Sequence, residues 1–294
     1  MRMSRTALWA VALAAAVALP ASTCLAEDDA PNKGRVSLTV GNDVTTAYMF
    51  RGILQERHGV IWQPSVGLGL NLFSDDEGPI SSIDAGFGVW ASYQSEETGS
   101  SGNGPDPLYE MDFYPSLSVA FANGFKTGLT YYFYTSPNGA FNTVGELSWT
   151  MGFDDTGLIC DYFSLQPAAE FAFEMDNTSL GNGKGIFSGV SLSPNTTLRA
   201  DTKYPVTFTM PLKVGLSADQ YYYDPSDGLN DNETFGFFLF GLNGSVPLGI
   251  IPAEFGTWTV GLGINVYVLG NNLKDLNEND SPFPVGTFSL GMSY

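Results

Sequence analysis

The feature that most constrains this chain is a hydropathy period of two. In one stretch Trp258, Val260, Leu262, Ile264, Val266 and Val268 alternate with Thr259, Gly261, Gly263, Asn265 and Tyr267. The pattern repeats in Val206, Phe208, Met210, Leu212, Val214 and Leu216, and in Leu165, Pro167, Ala169, Phe171, Phe173 and Met175. Successive side chains of an extended strand point to opposite faces, so each segment carries one apolar row and one polar or small row. Twelve such segments fall near 35–50, 61–72, 80–94, 108–121, 125–135, 141–152, 163–175, 185–192, 204–217, 233–246, 255–269 and 284–294. Segment 233–246 is apolar on both faces, and 185–192 is short. An apolar stripe of this period excludes helices.

The gaps between segments are unequal. Those at 95–107, 176–184, 218–232 and 270–283 are polar and mostly long, whereas the alternate gaps include the two-residue Asn123-Gly124 hairpin signal and the short 73–79. Gaps 193–203 and 247–254 are long for the short side. Long loops on one side, short turns on the other and an even strand number predict a closed antiparallel up-and-down transmembrane β-barrel of about twelve strands. Lipid offers no hydrogen-bond partners, so a spanning sheet must close on itself. A soluble barrel or sandwich, with the same rows turned inward, is the rival architecture.

The N-terminus fits export. Arg2 and Arg5 precede an apolar run over 6–19, Pro20 ends it, and Cys24-Leu25-Ala26 offers small residues for cleavage before Glu27. Residues 1–26 are therefore expected to be a Sec-type signal peptide, with cleavage before Cys24 as a lipoprotein the alternative. Residues 27–34 are expected to form a short periplasmic segment and 35–294 the barrel. The C-terminus adds a second mark. Phe288, Leu290, Met292 and Tyr294 alternate with Thr287, Ser289, Gly291 and Ser293, resembling the assembly signal of bacterial outer-membrane barrels. The expected partners are outer-membrane lipid, lipopolysaccharide and, through the strand ending at Tyr294, the barrel-assembly machinery of a Gram-negative bacterium.

Charge narrows the function. Without residues 1–26 the chain keeps ten Lys+Arg against 31 Asp+Glu, a net charge of −21, which gives nucleic acid nothing to bind. If the apolar rows face lipid, the opposite rows line the lumen and would supply the pore: Asp43, Arg51, Asp84, Glu110, Asp112, Lys126, Glu146, Glu170, Glu174 and Lys213. Seven acids against three bases predict passage of small hydrophilic solutes with cations favoured. Gly67, Gly69, Gly86, Gly88, Gly261 and Gly263 leave room, while Trp90, Tyr114, Tyr132 and Tyr267 take some back. A lumen plugged by charges that pair across strands, in a non-conducting anchor or scaffold, is the alternative. Arg51 either forms a constriction opposite carboxylates or, the favoured reading, anchors the first loop through a bidentate pair with a strand acid.

Tyr48, Phe50, Trp62, Tyr93, Tyr109, Phe121, Trp149 and Trp258 lie near strand ends and fit interfacial girdles. Tyr221-Tyr222-Tyr223 leads into an exposed acidic loop. The single His58 sits in or beside the first external loop, no G-x-S-x-G occurs, and no catalytic set can be assembled, so no enzyme is expected. Acids at 224, 227, 231 and 233, and at 275, 278 and 280, do not match a Ca²⁺-loop spacing, so no cofactor or metal is expected.

Val44-Thr45-Thr46-Ala47-Tyr48-Met49-Phe50-Arg51-Gly52, followed by Gln55, resembles the opening strand of the TorF-like family of bacterial outer-membrane porins. Gly215-Leu216-Ser217 before Tyr221-Tyr222, Pro247-Leu248 and Gly256-Thr257-Trp258 are similar in character. The resemblance covers nearly the whole mature chain and implies a porin-type barrel with no known substrate. Ile53-Leu54 and Glu56-Arg57-His58 depart from the small polar residues expected after Arg51.

Overall fold

Alternation along the chain becomes a closed ring of strands. A computed structural model describes residues 34–96, 107–178, 184–223 and 232–294. The signal peptide, nearly all of segment 27–34, and the loop acids Asp224, Asp227 and Asp231 lie outside the described residues. The strands are β1 Val36–Thr45, β2 Tyr48–Phe50, β3 Ile53–Glu56, β4 Ile61–Ser74, β5 Ile80–Gln94, β6 Leu108–Phe121, β7 Phe125–Thr135, β8 Val144–Phe153, β9 Phe163–Ser164, β10 Ala168–Asp176, β11 Ile186–Leu192, β12 Asn195–Leu198, β13 Val206–Thr209, β14 Leu212–Asp219, β15 Phe235–Pro247, β16 Thr257–Leu269 and β17 Phe283–Ser293. One short helix, α1, spans Asn271–Leu276.

Each stave of the ring pairs antiparallel with its neighbours. The ring closes where β1 meets β17, from Thr39↔Ser293 to Thr45↔Thr287, and where β14 meets β15. β11 with β12, and β13 with β14, each form one interrupted stave, which makes twelve in all. The interruptions fall at Pro194 and Pro211, which have no N–H to give the ladder. Their carbonyls are still used: Met210 N donates to Pro194 at 2.8 Å and Gly241 N to Pro211 at 3.1 Å. Four residues of the long gap at 193–203 are therefore strand. Segment 163–175 is likewise corrected to β10 plus the two-residue β9, which pairs with β12.

The rows sort as their chemistry demands. Val66, Leu68, Leu70, Leu117, Leu129, Phe133, Ile264 and Phe288 point outward and are exposed, with Leu262 at 68%, whereas Glu146 on the opposite face is 0% exposed. Apolar surface in water costs about 25 cal/mol per Å². So continuous an apolar exterior suits a medium as apolar as itself.

Segment 35–50 is corrected most. The first stave stops at Thr45, whose Oγ1 donates to the Ala47 carbonyl at 2.9 Å. Residues 48–56 then form a separate hairpin, β2 against β3, with Phe50↔Ile53 in register. Its two-residue tip is Arg51-Gly52, with φ of 46° and 85°. A tight hairpin of that length favours positive φ at both central residues, which Gly adopts freely and Arg only at a cost.

At the opposite end, Gly124 (φ 91°) makes the β6–β7 turn, with its N–H donating to Phe121 at 3.0 Å. An added Cβ would lie 2.8 Å from the Asp154 carbonyl, so the turn needs glycine. Asp154 opens the β8–β10 connection. Burial alone would raise its pKa, but hydrogen bonds from Thr156 and Gln166 and the Lys126 charge outweigh burial and lower it to about 2. A depressed carboxylate stabilises the fold above its unfolded pKa of about 4 and loses that contribution as pH falls through its folded value. Asp154→Asn should therefore weaken the folded state at neutral pH, and its deficit relative to the parent should shrink between about pH 4 and pH 2. Denaturant unfolding of the detergent-folded chain at several pH values measures this.

Candidate functional site in the barrel lumen

The hairpin enters the barrel. Its tip residue Arg51 donates through Nη1 and Nη2 to Glu146 Oε2 and Oε1 on β8, at 2.5 and 2.8 Å, a two-pronged fork. Nη2 also donates to Glu170 Oε1 on β10 at 2.7 Å, and Nη1 to the Tyr221 hydroxyl oxygen at 2.8 Å. Lys213 on β14 donates to the other oxygen of Glu170 at 3.0 Å. Tyr134 OH donates to Glu146 at 3.0 Å. The guanidinium carbon lies 4.4 Å from the centre of the Phe187 ring, a contact that an ammonium would not reproduce as a flat stack. Two cations and two carboxylates thus balance inside a ring of aromatics, which is the condition for burying charge.

Backbone atoms of the hairpin are held as firmly as its tip. Tyr222 OH donates to the Arg51 carbonyl at 3.0 Å. Asn277, 0% exposed at the end of α1, takes Leu54 N–H on Oδ1 at 2.8 Å and donates from Nδ2 to the Gly52 carbonyl at 2.7 Å. Tyr48 OH donates to Glu110 Oε2 at 2.9 Å, Tyr109 OH to Gln55 Oε1 at 2.6 Å, and Arg57 pairs with Glu278 and Asp280.

Apolar groups fill the space on both sides. One cluster joins Ile53 to Phe187, Tyr222, Phe237, Tyr267 and Leu273; the other joins Tyr48 to Trp90, Tyr109, Tyr114, Tyr132 and Tyr134. Rings lie flat on glycines of the wall: a Cβ on Gly88 would stand 2.0 Å from the Tyr114 ring, and one on Gly215 2.2 Å from Phe237. The half of the lumen nearer the loops is therefore occupied. Toward the turns the inward positions are mostly small, among them Gly67, Gly69, Gly86, Ser116, Ser118 and Gly261.

The ten charged residues expected to line the pore do not form one group. Arg51, Glu146, Glu170 and Lys213 form the latch. Arg51 is not at the end of the first stave, as expected, but at the tip of a separate hairpin. Glu110 and Asp112 stand together on β6, and Glu174 accepts Gly185 N–H at 2.7 Å. Asp43 lies across from Ser289 and Gln63. Asp84 accepts from Asn71 and Ser82 at 2.7 Å each, and Lys126 pairs with Asp154 at 3.3 Å near the turns.

Three girdle assignments are corrected. Tyr48, Phe50 and Tyr109 belong to the lumen packing, because Tyr48 and Phe50 ride on the hairpin and a register shift between Ser92 and Tyr93 turns Tyr109 inward. Trp62 and Trp149 do stand outside, 40% and 41% exposed. Tyr221 and Tyr222, assigned only to the approach of an exposed loop, are 2% and 0% exposed and bind Arg51. Three consecutive tyrosines were the available signal, since a solvated loop has no use for so much ring surface.

No protein-family model matches the chain, and no curated protein does. Among solved structures the chain is similar to an outer membrane channel from Pseudomonas putida F1, at 10% identity over 91% of this chain and 98% of that one, with a TM-score of 0.45. It is also similar to a bacterial polysaccharide outer membrane secretin (10% identity, 88% and 97% covered, TM-score 0.48) and to the NanC porin (8% identity, 87% and 98% covered, TM-score 0.41).

Proposed function

We propose that the chain is an outer-membrane barrel of porin type, exported through a Sec signal, that passes small hydrophilic solutes with a preference for cations through a lumen narrowed by its own first loop. The observation that carries this is the twelve-stave ring, apolar outside, with seven carboxylates and three bases on its inner wall and hairpin. Carboxylates in excess attract cations and repel anions in a confined water-filled path. The likeness of residues 44–52 to TorF-like porins agrees with this reading, as does the closing strand that ends at Tyr294 and would engage the assembly machinery. The outward rows would meet lipid and lipopolysaccharide.

A second reading is favoured by one observation. The loop half of the lumen is packed with rings around the latched hairpin, as suits a non-conducting anchor or scaffold. Planar-bilayer recording on the purified, refolded chain separates the two. Small discrete steps with a reversal potential on the potassium side in a KCl gradient support the pore; silence from a properly heat-modifiable barrel supports the scaffold. Changing Glu110, Asp112, Glu170 and Glu174 to their amides should reduce cation preference, and unchanged selectivity would remove these four from the path.

A further inference from the structure

Not every buried acid in the lumen has a basic partner. Glu146 and Glu170 are answered by Arg51 and Lys213. Glu110 and Asp112 stand two residues apart on the inward face of β6, 5% and 3% exposed. Among the described residues no ion pair includes either one. Asp112 Oδ1 is buried without a hydrogen-bond partner. On the facing strand, Gln94 is 1% exposed, with its amide nitrogen on Ser92 Oγ at 3.3 Å, and Ser92 lies directly across from Glu110. Gln94 Oε1 is likewise buried and unpartnered.

The surroundings are rings. Trp90 and Tyr134 are the register partners of Asp112 on either side. Tyr48 stacks at a tilt 5.3 Å from Trp90 and meets Tyr109 edge-on at 6.4 Å. The two carboxyl groups share one face with no described basic group paired to either, so they concentrate negative charge that a cation would cancel.

We propose that this pair is a binding site for a small ammonium-type cation, a primary amine. An R–NH₃⁺ group has three donors, and the pair offers Asp112 Oδ1 and a Glu110 oxygen, with Gln94 Oε1 buried on the facing strand beside Ser92. Its carbon would rest against Trp90 and Tyr48, whose ring faces attract positive charge. A hard metal ion fits worse. Ca²⁺ takes six to eight oxygens, and among the described residues no group of three or more His, Cys, Asp or Glu could hold a metal. The site deepens the reading of the lumen as a cation path and depends on it only for the route of entry.

The test titrates methylammonium chloride into the purified, detergent-refolded chain and follows tryptophan emission, because Trp90 is the register partner of Asp112. A saturable change is expected, lost in Trp90→Phe and displaced to concentrations at least about tenfold higher in Asp112→Asn, with heat-modifiable mobility retained in both. Potassium chloride at equal ionic strength should give no such change. A signal that does not saturate, that potassium reproduces, or that Asp112→Asn leaves in place overturns the site. Bilayer recording on the same preparation keeps the two ideas apart: silence with binding intact rejects the pore and leaves the site, and conduction without a Trp90 signal does the reverse.

Discussion

Removing residues 48–56 and joining Ala47 to Arg57 through a short Gly-Ser linker should convert the barrel into an open channel, with unit conductance raised on the order of tenfold. The ring does not depend on this segment. β1 pairs with β4 and β17 outside it, and β2 pairs only with β3. What the deletion removes is the body that Phe187, Phe237, Tyr222 and Leu273 pack against on one side and Trp90 and Tyr134 on the other. Twelve strands enclose more than the side-chain-filled eight-strand barrels, so the vacated space admits water. The rings left behind face that water and line a wide mouth. The measurement is single-channel recording of the deleted chain beside the full chain, with heat-modifiable migration as the control for folding. Equal conductance in the two would show that the hairpin lies beside the conducting path rather than across it.

The ring was legible in the sequence because a period of two is a local property. Each stave announces its faces through its own side chains, and Trp258–Val268 needs no partner to do so. The hairpin was not, because Tyr48-Met49-Phe50 continues the same β-favouring character past Thr45, and propensity does not distinguish one long strand from a strand and a hairpin. The distinction sits in Arg51-Gly52, a two-residue tip at positive φ. β15 held the other clue. It is apolar on both faces because Phe237 and Leu239, each 2% exposed, turn inward onto the plug while Phe240 and Leu242 face out. An inner wall that carries bulky apolar groups implies something apolar inside. Tyr109 was beyond reach, since its inward turn comes from a register shift that alternation does not contain. Polar rows name one face of each stave, but the grouping of Arg51, Glu146, Glu170 and Lys213 into a latch, apart from Glu110 and Asp112, depends on cross-barrel distances.

Glu146→Ala should be the most damaging single substitution in the latch, at about 3–5 kcal/mol, because it leaves a buried guanidinium without its fork. Glu146 is fully buried and supplies both oxygens to Arg51. Glu170 is already shared with Lys213, so it cannot take over the lost pair. The matched double variant Arg51→Met with Glu146→Met should recover most of the loss, since an apolar pair of similar size removes the uncompensated charge. Denaturant unfolding of the four chains in a double-mutant cycle gives the coupling energy. A cost below about 1 kcal/mol for Glu146→Ala would mean that water reaches the latch and the charges are screened. Where the loss appears matters as much as its size. The latch ties the hairpin to the wall through four bonds of Arg51, and β7 and β8, held by their backbone ladder, lose only the Tyr134–Glu146 bond, so Glu146→Ala weakens the hairpin's seat before it weakens the ring. Conductance should therefore rise in Glu146→Ala at denaturant concentrations where the heat-modifiable barrel is still intact, whereas a cut in the ring itself would lower both together.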